Sequence, residues 1–268
     1  MSIYICVIGA SGRMGINNLT LINQHPDLSI SGAIDINSSL NYGRKISQLI
    51  DIKNSEIVIS DNIDNVIDKT DVFVDFSSPK ATLKYLDVAI KNNKKYIIGT
   101  TGFSEEEIET IKEYSKKSAI ILSSNFSKGI TVLNHIIKSA VGLLKDGYDI
   151  EMVEAHHKRK KDAPSGTAIK LAKTACEAKN IDFNKDVVYG REGIIGERKE
   201  NEFGVFALRA GGIIGEHKLY IVSDDEKVEL SHTAFSRKAF SSGVISGILF
   251  LSNKDSGLFD MEDILGIK

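Results

Sequence analysis

Short apolar runs alternate with amphipathic stretches through the first half of the chain. The apolar runs have the length of β-strands: IYICVI, LSISGAID, EIVIS, DVFVDFS, KYIIGTTGF and AIILSSNFS. Stretches with helical spacing, such as KATLKYLDVAIKNN and SEEEIETIKEYSKKS, lie between several of them, and Ser104 and Glu107 have the spacing of a capping box. Buried strands joined by helices are typical of a parallel sheet covered on both faces. We therefore predict a doubly wound α/β domain over residues 1–127.

The pattern changes after residue 127. A helix is predicted over residues 131–144, and YDIEMVEAHH alternates like a strand. The segments FGVFALRA, EHKLYIVSD and KVELSHTAF follow with turns but no helix between them, which favours antiparallel pairing. A last helix is predicted over residues 238–252. These elements indicate a second, α+β domain over residues 128–236, with a mixed, largely antiparallel open sheet.

Composition narrows the class of protein. The 268 residues, 42% of them hydrophobic, are enough for two modest cores, and a net charge of -2 provides no global field for nucleic acid or an anionic membrane. Cys6 and Cys176 lie too far apart in sequence for a metal-ligand motif or a disulfide framework. The chain has no signal-peptide pattern and no apolar run of membrane length. We expect a cytoplasmic protein with no nucleic-acid, membrane or metal partner.

A glycine turn follows the first strand. VIGASGRMG places Gly9, Gly12 and Gly15 between an apolar strand and a helical pattern. Glycine there permits a tight turn and a close approach of the backbone to a pyrophosphate, and the helix N-terminus supplies N–H donors. The glycines could instead only turn the chain. The strand before them and the helix after them favour a dinucleotide site, so we predict a Rossmann-like domain.

The end of the second strand bears on the choice of cofactor. Asp35 stands at the distance from the glycines where a carboxylate accepts hydrogen bonds from an adenosine ribose. A carboxylate repels the additional phosphate of NADPH, whereas Arg13 could bind it. We predict NADH as the preferred cofactor, with NADPH as the alternative.

Two later strands end in small polar residues. GTTGF and SSNFS lie where ligands bind in doubly wound sheets, and their hydroxyl and amide groups could contact a nicotinamide or a ribose. Helix caps and turns are the alternative role for any one of these residues.

The stretch EAHHKRKKDAPSGTA combines two histidines and a run of cations with the start of a helix. A metal site is disfavoured because adjacent histidines on a strand point to opposite faces, and a basic nucleic-acid tag fits poorly with the helix that follows. Backbone donors at Ser165, Gly166 and Thr167, with Lys160 and a histidine, would instead bind carboxylates. A histidine or lysine there could also supply the proton that accompanies hydride transfer.

These motifs name a family. VIGASGRMG, GTTGF, NFS, EAHHKRKKDAPSGTA, GEH and SGLFDM occur in an order that resembles the bacterial dihydrodipicolinate reductases over essentially the whole chain. The resemblance implies reduction of 4-hydroxy-tetrahydrodipicolinate to tetrahydrodipicolinate by NADH or NADPH, on the diaminopimelate route to lysine. It also implies a homotetramer assembled through the second-domain sheets, and a last segment, residues 237–268, that returns to the cofactor domain.

The resemblance assigns roles to individual residues. His156 becomes the proton donor or acceptor, Lys160 a second proton donor and substrate contact, and His157, Gly166 and Thr167 substrate ligands. Ile36 replaces an arginine that some members use for NADP, and FSSPKATL lacks an arginine that often precedes this proline. The implied cofactor contacts are Gly9, Ala10, Ser11, Gly12, Arg13, Met14, Asp35, Gly99, Thr100, Thr101, Ser123, Ser124, Asn125 and Phe126.

Two other functions use the same first domain. A non-catalytic dinucleotide-binding redox sensor leaves His156 and Lys160 unexplained. An amino-acid dehydrogenase of similar two-domain build does not account for DAPSGTA. Both are alternatives to the reductase.

Overall fold

The chain forms two compact units. A computed structural model describes residues 2–52 and 55–267. The first unit comprises Met1–Lys128 and Arg237–Lys268, and the second comprises Gly129–Ser236. Residues 1 and 268, the outer limits of the predicted first domain, lie outside the described residues. None of the helices in the described ranges is long and apolar enough to cross a membrane.

The first unit is built on a six-stranded sheet in which every pairing is parallel. Its order is β11-β5-β4-β3-β1-β2. The strands are β1 (Ile3–Ile8), β2 (Leu28–Ile34), β3 (Val72–Asp75), β4 (Lys95–Ile98), β5 (Ala119–Leu122) and β11 (Gly257–Phe259). The helices are α1 (Arg13–Gln24), α2 (Pro79–Lys91), α3 (Glu105–Ser115), α7 (Lys238–Ser252) and α8 (Met261–Leu265). Three short 3-10 helices occupy Ile46–Gln48, Ile63–Asn65 and Ile67–Lys69.

Both faces of this sheet are buried. Neighbouring strand residues belong to two different core clusters, as Val7 and Ile8 do in β1 and Ile97 and Ile98 do in β4. Successive side chains of a strand point to opposite faces, so a sheet covered on both sides reads as a continuous apolar run. The predicted doubly wound architecture is confirmed, as is the capping box at Ser104.

One predicted strand is wrong. EIVIS makes only isolated bridges, Lys45 with Val58 and Ile34 with Ser60. The reason is that most of its backbone hydrogen bonds go to the loop at residues 43–46 rather than to β2. The sixth strand is instead β11, which comes from the tail and pairs with β5.

The second unit has a five-stranded mixed sheet of order β10-β9-β6-β8-β7. The strands are β6 (Asp149–His156), β7 (Val187–Val188), β8 (Phe203–Arg209), β9 (Glu216–Val222) and β10 (Lys227–Thr233), and the helices are α4 (Lys128–Leu143), α5 (Gly166–Lys179) and α6 (Phe183–Asp186). Apolar residues of α4 and α5 share one core with β6, β8 and β9. The predicted mixed sheet is therefore confirmed.

The pairing of its strands differs in one respect from the sequence prediction. β9 and β10 are antiparallel, as expected, but β8 does not pair with β9. β6 lies between them, antiparallel to β9 and parallel to β8. Proximity in sequence favoured a hairpin at residues 210–215, whereas the earlier strand β6 takes the central position.

Candidate active site

The glycine turn of the first unit is tightly packed. Gly9 has a φ of +74°, and a Cβ there would lie 2.8 Å from the carbonyl oxygen of Phe76. A Cβ on Gly15 would lie 2.2 Å from the carbonyl oxygen of Gly9. Gly12 is the N-cap of α1 and provides no side-chain cap. The turn therefore requires glycine and leaves the first amides of α1 without a capping side chain.

Asp35 is held beside this turn. The Ser11 amide donates to its Oδ2 at 2.7 Å, and the Ile36 amide donates to its Oδ1 at 2.8 Å. The Ser11 hydroxyl is buried and has no hydrogen-bond partner among the described residues. Glycines that exclude a Cβ, a helix N-terminus, an unpaired hydroxyl and a fixed carboxylate fit a dinucleotide's pyrophosphate and ribose.

The loops that follow the strands lie side by side. Four backbone hydrogen bonds link neighbouring loops and strand ends: Gly9 to Ile34, Phe76 to Ile8, Gly99 to Asp75 and Ser123 to Ile98, each written donor first. All the predicted cofactor residues therefore lie at the carboxyl edge of one sheet. Among them, Ala10, Thr100, Ser123 and Phe126 are buried, whereas Gly12, Arg13, Thr101 and Ser124 are exposed.

Some of these side chains are already engaged within the fold. The Thr100 hydroxyl lies 3.0 Å from that of Thr82 and accepts from the Ser77 amide at 3.1 Å. The Phe126 ring is in the core beside Phe76, with ring centroids 5.6 Å apart. These two residues can offer a cofactor only their backbone or their packing.

Sequence reasoning missed a buried carboxylate beneath these loops. Asp75 is fully buried and accepts from Ser77 and from the Tyr96 hydroxyl at 2.7 Å. Burial raises the pKa of Asp75, and the hydrogen bonds from Ser77 and Tyr96 oppose that rise. The available signal was a carboxylate at the end of an otherwise apolar strand, directly before the FSSP loop. Asp75 fixes the relative positions of the two loops that follow β3 and β4.

In the second unit two predicted residues, His156 and Ser165, contact another buried carboxylate, that of Glu154. Glu154 lies on the helix-covered face of β6, has no exposed surface, and binds the Nδ1 of His156 at 2.6 Å. Arg209 donates two hydrogen bonds, of 2.7 and 2.8 Å, to the same carboxylate. Burial by itself would raise the pKa of Glu154, but hydrogen bonds from His156, Arg209 and the Ser165 amide lower it to about 2.

The start of α5 reaches the same carboxylate. The Ser165 amide donates to Glu154 Oε1 at 2.8 Å, and its hydroxyl caps the helix by accepting from the Ala168 amide. The predicted substrate-binding donor Ser165 therefore has its amide committed within the unit. Gly166, which is exposed, and Thr167 are the first two residues of the helix.

The loop between β6 and α5 carries the predicted lysine. The Lys160 amide donates to the His157 carbonyl at 3.0 Å, and Lys160 Nζ lies 2.9 Å from Asp162 Oδ2. Burial opposes ionisation of Asp162, but its contacts with Lys160 lower its pKa overall. His157 lies one residue beyond β6 and is buried, whereas His156 is partly exposed.

A third histidine was not anticipated. His217 on β9 is 4% exposed, and its Nε2 lies 3.3 Å from the Ser165 hydroxyl. Its ring meets that of His156 edge-on at 5.3 Å. Burial, reinforced by the charge of His156, lowers the pKa of His217 to about 3, so it is neutral at physiological pH. The GEH motif contained this residue, but its alternation with apolar β9 residues was the structural signal.

Within residues 2–52 and 55–267, no group of three or more histidine, cysteine, aspartate or glutamate side chains is arranged to hold a metal ion. What the second unit offers is a proton-carrying imidazole, a lysine and the start of a helix.

The comparison with protein families decides the identity of the chain. A family profile described as dihydrodipicolinate reductase, N-terminus, matches residues 3–126, and one described as dihydrodipicolinate reductase, C-terminus, matches residues 129–265. The chain belongs to the dihydrodipicolinate reductase family. The two profiles together cover nearly all of it.

Curated relatives agree with this assignment. A protein of Syntrophotalea carbinolica named 4-hydroxy-tetrahydrodipicolinate reductase is 36% identical over 266 residues, which is 99% of this chain and 100% of the relative. A protein of the same name from Neisseria meningitidis is 38% identical over 263 residues, 98% of this chain and 97% of the relative. The predicted family, enzyme class and function, an oxidoreductase of lysine and diaminopimelate biosynthesis, are confirmed, and the family favours the reductase over both alternatives.

Solved structures share the fold. Dipicolinate-bound dihydrodipicolinate reductase from Paenisporosarcina sp. TG-14 matches with a TM-score of 0.76 at 23% identity, covering 97% of this chain and 98% of that chain. An amine dehydrogenase from Mycobacterium smegmatis matches with a TM-score of 0.66 at 12% identity, covering 98% and 96%. These likenesses confirm the predicted architecture.

Proposed function

We propose that the chain reduces 4-hydroxy-tetrahydrodipicolinate with a nicotinamide dinucleotide, using His156 as the proton donor and the start of α5 as the carboxylate receptor. One observation carries this proposal. The imidazole of His156 and the N-cap residue of α5 bind the same carboxylate, that of Glu154. The acid–base group therefore stands within a few ångströms of helix amides that attract anions.

The substrate is a dicarboxylate. Exposed Gly166 and neighbouring Thr167 offer the first amides of α5 to one carboxylate, while Lys160 and His157 lie on the connecting loop and supply the second contact. Lys158, Arg159 and Lys161 add positive charge to the same loop. The partial positive charge of the helix N-terminus and these cations both favour binding of the substrate carboxylates.

The cofactor binds in the first unit. Gly9, Gly12 and Gly15 form the turn that would hold the pyrophosphate, and Ser11 and Asp35 would bind the adenosine ribose. A nicotinamide dinucleotide, when bound there, supplies the hydride for the reduction. Because Asp35 is held by two backbone amides, its carboxylate remains fixed where an additional phosphate would meet it. We infer a preference for NADH over NADPH.

Two residues transfer the proton that accompanies the hydride. In its imidazolium form His156 can deliver a proton from the imidazole nitrogen that does not face Glu154, and the ring then returns to the neutral state. Lys160, whose ammonium pairs with Asp162, acts as the second proton source and as a substrate contact. A general acid of this kind contributes about 10²- to 10⁴-fold to the rate.

A rate measurement tests the assignment. The wild type should oxidise NADH in the presence of freshly made 4-hydroxy-tetrahydrodipicolinate. His156→Gln should lose kcat by about 100-fold or more with little change in the KM for NADH. His135→Gln, a matched change at an exposed histidine of α4, should keep the wild-type rate. Full activity of His156→Gln would remove His156 from the mechanism.

The cofactor preference is tested separately. Asp35→Gly should raise kcat/KM for NADPH relative to NADH by about tenfold, because it removes a charge repulsion worth about 1.4 kcal/mol. Asp27→Gly, a change at an exposed aspartate directly before β2 and so at the opposite edge of the sheet, serves as the control. An unchanged ratio in Asp35→Gly would exclude Asp35 as the determinant.

We also propose a cytoplasmic homotetramer assembled through the second unit. α4 and α5 cover one face of the mixed sheet, whereas Leu208 on the other face is 49% exposed. Light scattering should give four times the mass of the chain; a monomeric mass would contradict this.

A further inference from the structure

We propose that Glu154, gripped by Arg209, is a positioning residue that selects the tautomer of His156 and fixes the start of α5 and the Lys160 loop around it. This inference rests on the proposed role of His156. It assigns to Glu154 and Arg209 a part in the reaction although neither needs to touch the substrate.

The hydrogen bonds of the carboxylate define its state. Oε2 faces Arg209 and His156, and Oε1 faces Arg209 and the Ser165 amide, at distances of 2.6 to 2.8 Å. An ionised carboxylate only accepts hydrogen bonds. Four nitrogen atoms face the carboxylate, and each must therefore donate a hydrogen bond to it. It follows that the Nδ1 of His156 carries a proton.

The proton on Nδ1 determines which nitrogen of His156 can react. With the proton of the neutral ring on Nδ1, Nε2 is the nitrogen that first takes up a proton, forming the imidazolium, and then gives that proton to the substrate. Gly215 supports this orientation, because a Cβ there would lie 3.1 Å from Nε2. The missing side chain keeps the space next to the reactive nitrogen open.

Arg209 extends the same control to the neighbouring loop. Its Nη2 also donates to the Asp162 carbonyl at 2.7 Å, and the Asp162 side chain pairs with Lys160. One buried ion pair thus joins the proton donor, the N-cap of the anion-binding helix and the lysine loop. The sites that must be held within a fraction of an ångström are anchored to a single carboxylate.

Glu151 offers a contrast on the same strand. It also pairs with arginine, Arg191, but it lies on the opposite face of β6 from Glu154 and is partly exposed. Glu151 pairs with Arg198 as well, so two glutamates of β6 bind arginine, and of these two only Glu154 contacts His156.

The tautomer can be measured directly in the unmodified protein. Imidazole ¹⁵N spectra of the substrate-free wild type, assigned by the signals lost in His156→Gln and recorded at a pH where the ring has lost its second proton, should place the remaining proton on Nδ1. The charged and titratable groups nearest to it, Glu154, Arg209, His217, Lys160 and Asp162, are unchanged in that sample. A dominant Nε2–H tautomer would overturn the proposal whatever the enzyme's activity.

Two variants test the consequence for catalysis. Glu154→Gln places an amide N–H₂ against at least one of the four donors, so we expect a mixed tautomer population and a loss of kcat of about tenfold or more. Arg209→Lys keeps the charge, loses the fork, and should lower kcat in the same direction. Glu151→Gln, the matched control, should stay within about twofold of the wild type.

The outcomes separate this proposal from the assignment of His156. A folded Glu154→Gln with wild-type kcat and an unaltered tautomer would overturn the positioning role while leaving the reductase mechanism intact. Activity retained by His156→Gln would instead refute the proposed function, and the ¹⁵N spectra would still decide whether Glu154 sets the tautomer.

Discussion

Acidification should destabilise the second unit through His217. The buried imidazole has a pKa of about 3 in the folded protein, chiefly because burial disfavours its charged form, against an ordinary value of 6.5. The unfolded chain therefore binds a proton at a pH where the folded chain does not. The stability due to neutral His217 is complete above pH 6.5 and is lost as the pH falls toward 3.

The magnitude follows from the two pKa values. A pH of about 4.5 is two units below the pKa of the imidazole in the unfolded chain, which is therefore protonated, whereas the imidazole in the folded chain is still neutral. This difference lowers the free energy of unfolding by about 2.7 kcal/mol. The pKa of Glu154, about 2, leaves that carboxylate ionised in the folded state at this pH. Burial also lowers the pKa of His232, so that residue adds to the acid loss, and the difference between the wild type and a His217 variant isolates the contribution of His217.

Urea unfolding of wild type and His217→Gln at these two pH values gives the test. Glutamine does not titrate and can keep a hydrogen bond to Ser165. The variant should lose about 2 to 3 kcal/mol less than the wild type on acidification. His135→Gln, at an exposed histidine, should follow the wild type. An equal acid loss in wild type and His217→Gln would refute the reasoning.

Three further changes have defined outcomes. Gly15→Ala should lower stability by about 1 to 3 kcal/mol in thermal unfolding and weaken NADH binding, because the new Cβ would lie 2.2 and 2.7 Å from two backbone oxygens. In the control Gly142→Ala, in α4, the new Cβ meets nothing within 4 Å, so this variant should be more stable by about 0.5 to 1 kcal/mol. Lys160→Ala should lower kcat and raise the substrate KM together in steady-state assays, and a change in only one of them would reduce the lysine to a single role. Ser104→Ala should cost about 1 kcal/mol in urea unfolding by removing the capping box, and no loss would contradict that cap.

Periodicity predicted the first sheet well because its strands are buried on both faces. The apolar runs at β1, β3, β4 and β5 reflect that burial directly, and α7 has the predicted limits. EIVIS has the same local pattern, but most of its backbone hydrogen bonds go to a preceding loop. β11 is only three residues long and too short to give a period, so its pairing with β5 was not predictable.

The motifs predicted the candidate site residues, whereas the groups that hold those residues in place were not predictable from sequence. Ser165 was predicted as a donor to substrate, yet its amide is used by Glu154. Glu154 shares its strand face with Ile150 and Met152, which marks it as buried. Its partner Arg209 comes from β8, and only the three-dimensional fold brings the two together. The same holds for Asp75 and His217, because they have hydrogen-bond partners on other strands and loops that only the fold brings near.

The central claim is that this chain is a reductase whose proton donor is His156. The most direct test is the initial rate of NADH oxidation with 4-hydroxy-tetrahydrodipicolinate, compared between the wild type, His156→Gln and Glu151→Gln at saturating cofactor. The account predicts turnover by the wild type and Glu151→Gln and a loss of about 100-fold or more in His156→Gln. Equal rates in all three proteins, or no turnover by the wild type with either NADH or NADPH, would contradict it.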